Sequence, residues 1–191
     1  MLDDLRTVAC RAGTNWPRVI TAAMAAYMYR IIGVSEVILG LPVLGRFGSA
    51  ARRIPSMMTN VVPLRLALHS DISVSDLVQQ VSRSSASTTS LALPGRRSTS
   101  GSTALWSRQC LFGPTVNVLV FDDDLRFAGY PTTIHILSNR SIDDLSLHVY
   151  QCSDDRWRID FDANPALYTA DALSTHRQCL LYLLAVIAPR P

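Results

Sequence analysis

The chain has 191 residues, which is enough for one domain with a substantial buried core. Apolar residues make up 48% and charged residues only 17%, and this balance indicates apolar surface meant for a partner. All eighteen basic residues are Arg, the formal net charge is +3, and no basic run exceeds two residues. The composition therefore gives no support to a nucleic-acid-binding function.

The N-terminal region predicts two helices. The first helix has four apolar residues on one face: Leu2, Leu5, Val8 and Ala9. Gly13 is placed to end it. Thr14 or Asn15 can cap a second helix, which has Pro17 in its first turn and is stopped by Gly33.

The next stretch predicts two strands joined by a loop. Residues 37–44 and 61–66 are apolar, rich in β-branched residues and of strand length, and a loop containing Gly and Arg runs over residues 45–55. Asn60 follows this loop, and an amide beside a strand end can hydrogen-bond a ligand without carrying charge. Asn60 is therefore a candidate lining residue for a site or channel. A loop that only joins the strands is the alternative.

A short helix and an irregular segment are predicted after these strands. Ser73 can cap a helix whose inner face holds Val74, Leu77, Val78 and Val81. From Ser84 to Arg108 the sequence is rich in Ser, Thr and Arg and has no period, so an irregular segment is expected. A loop of this length inside a domain is unusual.

The C-terminal region predicts strands and a final helix. Strands are expected over residues 116–121, 132–137, 145–150 and 157–162, arranged as a meander. Thr169 can cap the last helix. The inner face of that helix holds Leu173, Leu180, Leu181, Leu184 and Ile187.

The strand and loop region carries a family resemblance. Gly40–Arg46 reads G-L-P-V-L-G-R, and Ile54–Arg65 reads I-P-S-M-M-T-N-V-V-P-L-R. These segments resemble the C-terminal half of a nonribosomal peptide synthetase condensation domain, whose pattern is G-L-P-V-x-G-R followed by I-P-G-M-x-x-N-x-x-P-L-R. Ser56 stands where that pattern prefers Gly. The later segments G-P-T-V-N-V, D-L-S-L-H-V-Y and F-D-A-N-P-A-L-Y are similar to condensation domains of actinobacterial type.

The resemblance implies a fold and a set of site residues. The fold is α/β and chloramphenicol acetyltransferase-like, a two-layer sandwich with a mixed sheet flanked by helices, and residues 1–191 would form one lobe of a two-lobe domain. The seam between two such lobes carries the thioester-linked substrates. By motif match, Asn60 and Asn117 are candidate seam residues, Arg65 ends the strand after Asn60, and Arg46 begins the loop that faces the partner lobe. For Arg46 and Arg65 a structural ion pair is an equal alternative.

The irregular segment departs from the family. At this position the family carries a helical stretch like H-Q-R-Y-R-x-E-D-L-R-R-D-L. Codons for Ser90 to Thr103 can be chosen so that the second reading frame encodes H-S-R-Y-R-V-E-D-L-R-R-D-L. We therefore expect a frameshift before this segment and a second one, near Cys110, that restores the frame.

No catalytic residue can be assigned in this chain. The family supplies an imidazole from an H-H-x-x-x-D-G motif in its N-terminal half, and this motif is absent from the 191 residues. Four isolated histidines are present: His69, His135, His148 and His176. His135 and His148 lie in predicted strands and are expected to be packed or surface imidazoles. A G-x-S-x-G elbow, a Walker A loop and an H-E-x-x-H motif are also missing from the sequence.

The sequence does not predict a metal site, a disulfide framework or a membrane segment. Asp122–Asp124 is expected to form a solvated turn, and so is Asp143–Asp144. The four cysteines are far apart with no C-x-x-C pair, which is typical of a reducing compartment. The first residues do not resemble a signal peptide, and the longest apolar run is too short to cross a bilayer. A cytoplasmic protein is expected.

The resulting expectation is a truncated C-terminal condensation lobe, from a family of amide-forming acyltransferases, that is inactive alone. It would bind no cofactor directly and would use the phosphopantetheine arm of a carrier protein as substrate carrier. Its partners would be that carrier protein and the N-terminal lobe or other synthetase modules. The alternative is a noncatalytic module that binds a carrier protein or a complementary N-terminal lobe. A free-standing acyltransferase is less favoured because no base or nucleophile is placed for it.

Overall fold

The computed structural model describes residues 2–44, 53, 59–91, 112–120, 126–132, 142–151 and 157–188. The elements in chain order are α1 (Leu2–Arg11), α2 (Trp16–Ile32), β1 (Glu36–Leu44), β2 (Thr59–Ala67), α3 (Val74–Leu91), β3 (Thr115–Leu119), β4 (Arg126–Phe127), β5 (Tyr130–Pro131), β6 (Leu145–Gln151), β7 (Trp157–Ala163) and α4 (Ala170–Ile187).

The helix boundaries follow the capping residues that the sequence predicts. Asn15 is the N-cap of α2, and Gly33 ends this helix with a φ of 73°, a left-handed conformation that glycine adopts without steric cost. At the start of α3 the Asp76 backbone N–H donates to Ser73 Oγ over 3.1 Å, and the Ser73 hydroxyl donates to the Asp76 carboxylate over 2.6 Å. Thr169 caps α4 by accepting from the Ala172 backbone N–H. The predicted helix ends at Gly33, Ser73 and Thr169 are confirmed, whereas Asn15 occupies the N-cap position of α2 without a side-chain capping hydrogen bond.

The main sheet is mixed, with strand order β2-β1-β3-β6-β7. The pairs β1–β2 and β6–β7 are antiparallel, whereas β1–β3 and β3–β6 are parallel. The predicted α/β class is therefore confirmed. The predicted meander is correct for the antiparallel pair β6–β7. It is wrong for β3, because a meander needs antiparallel neighbours and β3 lies parallel to both of its partners.

The helices and the sheet share one core on one face of the sheet. Helix α2 contacts β1 and β3, α3 contacts β2, α4 contacts β7, and α1 packs against α2 and α3. The strands contribute alternate residues to this core: Val37, Leu39, Leu64, Leu66, Val116, Leu147, Val149 and Phe161. Small residues along α2, such as Ala22 and Ala25, are buried and let this helix lie close to its neighbours.

Helix α3 is longer than the sequence predicts. Residues 84–91 continue the helix, so the expected irregular segment from Ser84 to Arg108 is wrong for its first part. The Ser87 hydroxyl bonds back to the carbonyl oxygens of Ser84 and Arg83, which lets a poor helix former satisfy its polar group within the helix. Residues 92–108 lie outside the described residues.

Several sequence predictions also fall outside the described residues. These are the predicted strand beyond Thr132, most of the loop over residues 45–55, Asp122–Asp124, Cys110, Cys152 and His135. Cys10 and Cys179 are exposed free thiols. The short β4–β5 hairpin was not predicted, although its turn residues Ala128 and Gly129 both have positive φ, which is typical of a tight hairpin turn.

Within the described residues, none of the helices has both the length and the apolar character needed to cross a membrane. In that same part of the chain, no group of three or more His, Cys, Asp or Glu side chains is arranged to hold a metal ion.

Candidate functional site

The sheet has a second face that carries polar side chains. Because successive strand residues point to opposite faces, the residues between the core positions lie on the side away from the helices. Gly40, Thr115 and Ser146 are neighbours in the register of the parallel strands β1, β3 and β6, so they lie on this same side of the sheet. We call it the polar face; it holds Glu36, Arg65, Thr115, Asn117, Ser146, His148, Tyr150, Arg158, Asp160 and Asp162. The buried residues against which the described helices pack lie on the opposite face of the sheet.

A chain of hydrogen bonds runs across the centre of the polar face. Thr115 Oγ1 lies 2.7 Å from Ser146 Oγ, and Ser146 Oγ lies 2.8 Å from His148 Nε2. Ser146 is only 4% exposed. Burying its hydroxyl without hydrogen-bond partners would cost folding free energy, and these two contacts avoid that cost. The three side chains together join β3 to β6 by side-chain contacts in addition to the backbone ladder.

His148 occupies a half-buried position among charged and aromatic groups. Burial lowers the pKa of its imidazole below the usual value, and the carboxylates of Asp162 and Asp160 oppose this effect. Tyr150 lies beside it on the same strand, with ring centroids 6.3 Å apart and planes at 12°. The Arg158 guanidinium lies 5.6 Å from the Tyr150 ring centroid and pairs with Asp160, with a shortest distance of 2.7 Å. Burial therefore favours the neutral form of the imidazole.

Close approach at Gly40 allows β3 to join the sheet beside β1. A Cβ atom at Gly40 would lie 2.7 Å from the Phe112 ring and 2.8 Å from Thr115 Cγ2. The Gly40 backbone N–H donates to the Pro114 carbonyl over 2.9 Å. Only a residue without a side chain fits here, so Gly40 sets the distance between these two strands.

The structure places the four predicted site residues at different locations. Asn117 lies in β3 on the polar face, half-buried and opposite His148 in the register. Arg65 also lies on the polar face, but it is exposed and paired with the carboxylate of Glu36. Asn60 pairs with Val43 in the β1–β2 register, which puts it on the opposite face from Asn117. Arg46 lies outside the described residues.

The side chain of Asn60 turns back onto its own strand. Its Oδ1 accepts from the Val61 backbone N–H over 2.9 Å, and the residue is exposed at the end of β2. The Arg65 guanidinium, for its part, holds the pKa of the Glu36 carboxyl below its usual value by a hydrogen bond. Both side chains therefore have local partners.

The hydrogen-bond chain of the polar face was not predicted from the sequence. The signal for half of it was present, because residues 145–150 read L-S-L-H-V-Y and alternate apolar with polar side chains. This alternation places Ser146 and His148 on one face of β6. The position of Thr115 and Asn117 beside them depends on the parallel pairing of β3 with β6, which no local pattern reveals.

A separate cleft of about 490 Å³ lies where β1, β3 and β6 begin. Apolar side chains dominate its lining, including Met28, Phe112 and Leu167. Of its carboxylates, Glu36 is paired with Arg65, and Asp144 accepts a 2.6 Å hydrogen bond from the Tyr168 hydroxyl. Two of its three acidic groups are thus already engaged within the fold.

Comparison with known proteins identifies the fold and its relatives. A family model described as "Condensation domain" matches residues 1–191. The chain is 40% identical over 185 residues to the dimodular nonribosomal peptide synthase of Bacillus subtilis (strain 168), which covers 96% of this chain and 8% of that protein. It is 37% identical over 195 residues to the isonitrile lipopeptide synthase of Streptomyces coeruleorubidus, covering 98% of this chain and 13% of that protein.

Solved structures agree with the predicted fold class. The starter condensation domain of rhizomide synthetase matches with a TM-score of 0.77 and 43% identity, covering 90% of this chain and 42% of that one. The first condensation domain of the CDA synthetase matches with a TM-score of 0.78 and 28% identity, and the match covers 100% of this chain and 43% of that one. The chloramphenicol acetyltransferase-like α/β fold is confirmed. The chain spans well under half of each of these domains.

Proposed function

Because the chain belongs to the condensation domain family, we propose that it forms the C-terminal lobe of such a domain in a nonribosomal peptide synthetase. In this role it contributes to amide-bond formation between aminoacyl or peptidyl thioesters. The observation that carries the proposal is that two family-like segments, G-L-P-V-L at residues 40–44 and N-V-V-P-L-R at residues 60–65, lie on the paired strands β1 and β2. The share of the solved domains that the chain covers, 42% and 43%, supports a single lobe.

The chemistry requires a group that this chain does not supply. Attack of an amine on a thioester needs an uncharged amine, and a positioned imidazole can accept the proton that the amine loses. His69 is exposed beside Asp71, and His176 is engaged with Tyr27, so neither stands near the polar face. His148 lies on the polar face with its Nε2 engaged by Ser146, and His135 lies outside the described residues. None of the four histidines stands in an H-H-x-x-x-D-G motif, so we assign the base to the lobe that carries this motif in the family.

The role of this lobe is to form one wall of the substrate channel. The polar face supports this assignment because it carries hydrogen-bonding groups and lies opposite the face that packs against the described helices. Asn117 and Arg65 would contribute to this wall. Asn60, at the start of β2 on the other face of the sheet, and Arg46, which lies outside the described residues, remain candidate channel residues by motif match alone. The substrates would arrive on the phosphopantetheine arm of a carrier protein, and the other lobe and neighbouring synthetase modules would be the partners.

The test combines this chain with a histidine-bearing N-terminal lobe. Amide formation from carrier-bound donor and acceptor thioesters is followed by mass spectrometry of the released product. We expect no product from either lobe alone and product from the mixture. Product from this chain alone would contradict the proposal, because it would place the base within these residues.

Two controls separate assembly from chemistry. Replacing the second histidine of the H-H-x-x-x-D-G motif in the other lobe should abolish product while the two lobes still co-elute. A mixture that assembles and binds the carrier protein but makes no amide, with an active reference domain in the same assay, would favour the noncatalytic alternative.

A further inference from the structure

We propose that the imidazole of His148 hydrogen-bonds an amide group of the carrier-bound substrate and so determines specificity at this wall of the channel. Ser146 and Thr115 act as positioning residues for the ring. The inference rests on the proposed function, since it requires the polar face to line the channel.

One nitrogen of the imidazole, Nε2, is fixed by a hydrogen bond. Nε2 lies 2.8 Å from Ser146 Oγ, and that hydroxyl is fixed in turn by Thr115 at 2.7 Å. Among the residues that the structure describes, no hydrogen-bond partner meets Nδ1. A ring held by a buried hydroxyl loses little further freedom on binding, so a ligand bond at Nδ1 costs little additional ordering.

The neutral state of the ring selects the chemistry of the ligand. Four groups from two strands surround His148: Tyr150 on β6 and Arg158, Asp160 and Asp162 on β7. Arg158 is paired with Asp160, which reduces the net field of this part of the face. A neutral imidazole carries one donor and one acceptor nitrogen, so Nδ1 offers one hydrogen bond to an uncharged polar group.

A second neutral group lies directly beside it. Asn117 is opposite His148 in the parallel β3–β6 register, so two side chains without formal charge are adjacent on neighbouring strands. An amide side chain offers both a donor and an acceptor. Together they match a secondary amide, which has one N–H and one C=O. Such amides occur in a peptidyl donor and in the pantetheine arm, and the experiment distinguishes these two sources.

The test uses this chain assembled with its histidine-bearing lobe and measures kcat and KM for amide formation. His148→Leu removes the hydrogen bond and should lower kcat/KM about tenfold, the effect of one lost hydrogen bond, mainly through a higher KM. His148→Gln retains a donor and an acceptor and should restore most of the loss. Ser146→Ala retains the imidazole but removes the hydrogen bond that fixes its orientation. It should therefore raise KM by less than His148→Leu does.

Two donor substrates separate the sources of the amide. A peptidyl thioester and a simple fatty acyl thioester, both on the same pantetheine arm, are compared in each variant. A loss confined to the peptidyl donor assigns the contact to the peptide amide, and an equal loss for both assigns it to pantetheine. Either result supports the contact at His148.

The matched control is His69→Leu, which removes an exposed imidazole paired with Asp71 away from the polar face. It should leave kcat and KM unchanged. If the wild-type complex is active and His148→Leu and Ser146→Ala both match it within twofold, the inference is overturned while the proposed function stands. If the wild-type complex makes no amide bond, both are overturned. Chemical denaturation of each variant checks that the fold is intact.

Discussion

Tyr27 on α2 and His176 on α4, 149 positions apart in the chain, are joined by a 2.6 Å hydrogen bond between the phenol oxygen and Nδ1. Tyr168 packs edge-on against the same imidazole at a centroid distance of 5.5 Å and donates its hydroxyl to Asp144. This cluster ties the central helix, the last helix and the start of β6 together.

Tyr27→Phe should reduce the stability of the folded chain by about 1 kcal/mol, the usual net value of one buried hydrogen bond. Tyr27 is 5% exposed, so its hydroxyl makes this bond largely away from bulk water. The measurement is urea denaturation at pH 7.5. Tyr182→Phe is the matched control, because Tyr182 is 75% exposed and its hydroxyl loss should be neutral. Equal midpoints for the two variants would contradict the prediction.

Stability should fall steeply in alkaline solution. Burial raises the pKa of both Tyr27 and Tyr168 to about 12, with contributions from Cys179 and Asp144 respectively. The unfolded chain loses these protons near pH 10, whereas the folded chain keeps them, so their contribution is complete below pH 10 and is lost as pH rises toward 12.

Urea midpoints at pH 8, 10 and 11 measure this effect. The double variant Tyr27→Phe with Tyr168→Phe should have a shallower pH dependence between pH 10 and 11 than the wild type. An unchanged slope would show that other groups cause the alkaline loss.

Gly40→Ala should destabilise the sheet by about 1–3 kcal/mol, because the new methyl group would meet Phe112 and Thr115 below 3 Å. The control is Gly113→Ala, where the nearest atom to a new Cβ, Asp144 Oδ2, is at an ordinary distance of 3.5 Å. Thermal unfolding of the two variants gives the comparison. A Gly40 variant as stable as the Gly113 variant would mean that β1 and β3 can separate without cost.

Arg65→Met tests whether Arg65 contacts the substrate or only forms a structural ion pair with Glu36. The Arg65–Glu36 pair is exposed, and pairs of this kind contribute little to stability, so the denaturation midpoint should not change measurably. If Arg65 lines the channel, the assembled domain should show a raised KM for the carrier-bound substrate. Glu36→Gln is the control, since it breaks the same pair and retains the guanidinium. Identical kinetics for both variants would favour a purely structural pair.

The nucleotide sequence of codons 90–103 tests the frameshift hypothesis. We expect the second reading frame to encode a segment close to H-S-R-Y-R-V-E-D-L-R-R-D-L, followed by a return to the present frame near Cys110. Sequencing the gene from both strands decides this directly. A second frame interrupted by stop codons, or one that encodes an unrelated segment, would refute the hypothesis.

Local chemistry accounts for the parts of the fold that could be predicted. Asn15, Gly33, Ser73 and Thr169 mark helix ends because capping depends on groups within a few residues of each other. The extension of α3 beyond Ser84 was missed for a related reason. Ser and Thr favour loops or helices according to whether the hydroxyl bonds back to a carbonyl, as Ser87 does, and composition does not reveal that choice.

By itself, the amino-acid sequence determined most helix ends, the strands β1, β2, β3, β6 and β7, and the resemblance to condensation domains that implies the α/β class, since periodicity and motifs are local properties. Tertiary structure alone decided that β3 lies parallel to β6, that Thr115 meets Ser146 and His148, and that Asn60 and Asn117 lie on opposite faces. Those relationships depend on hydrogen bonds between strands distant in the chain, and many pairings are compatible with the same local patterns.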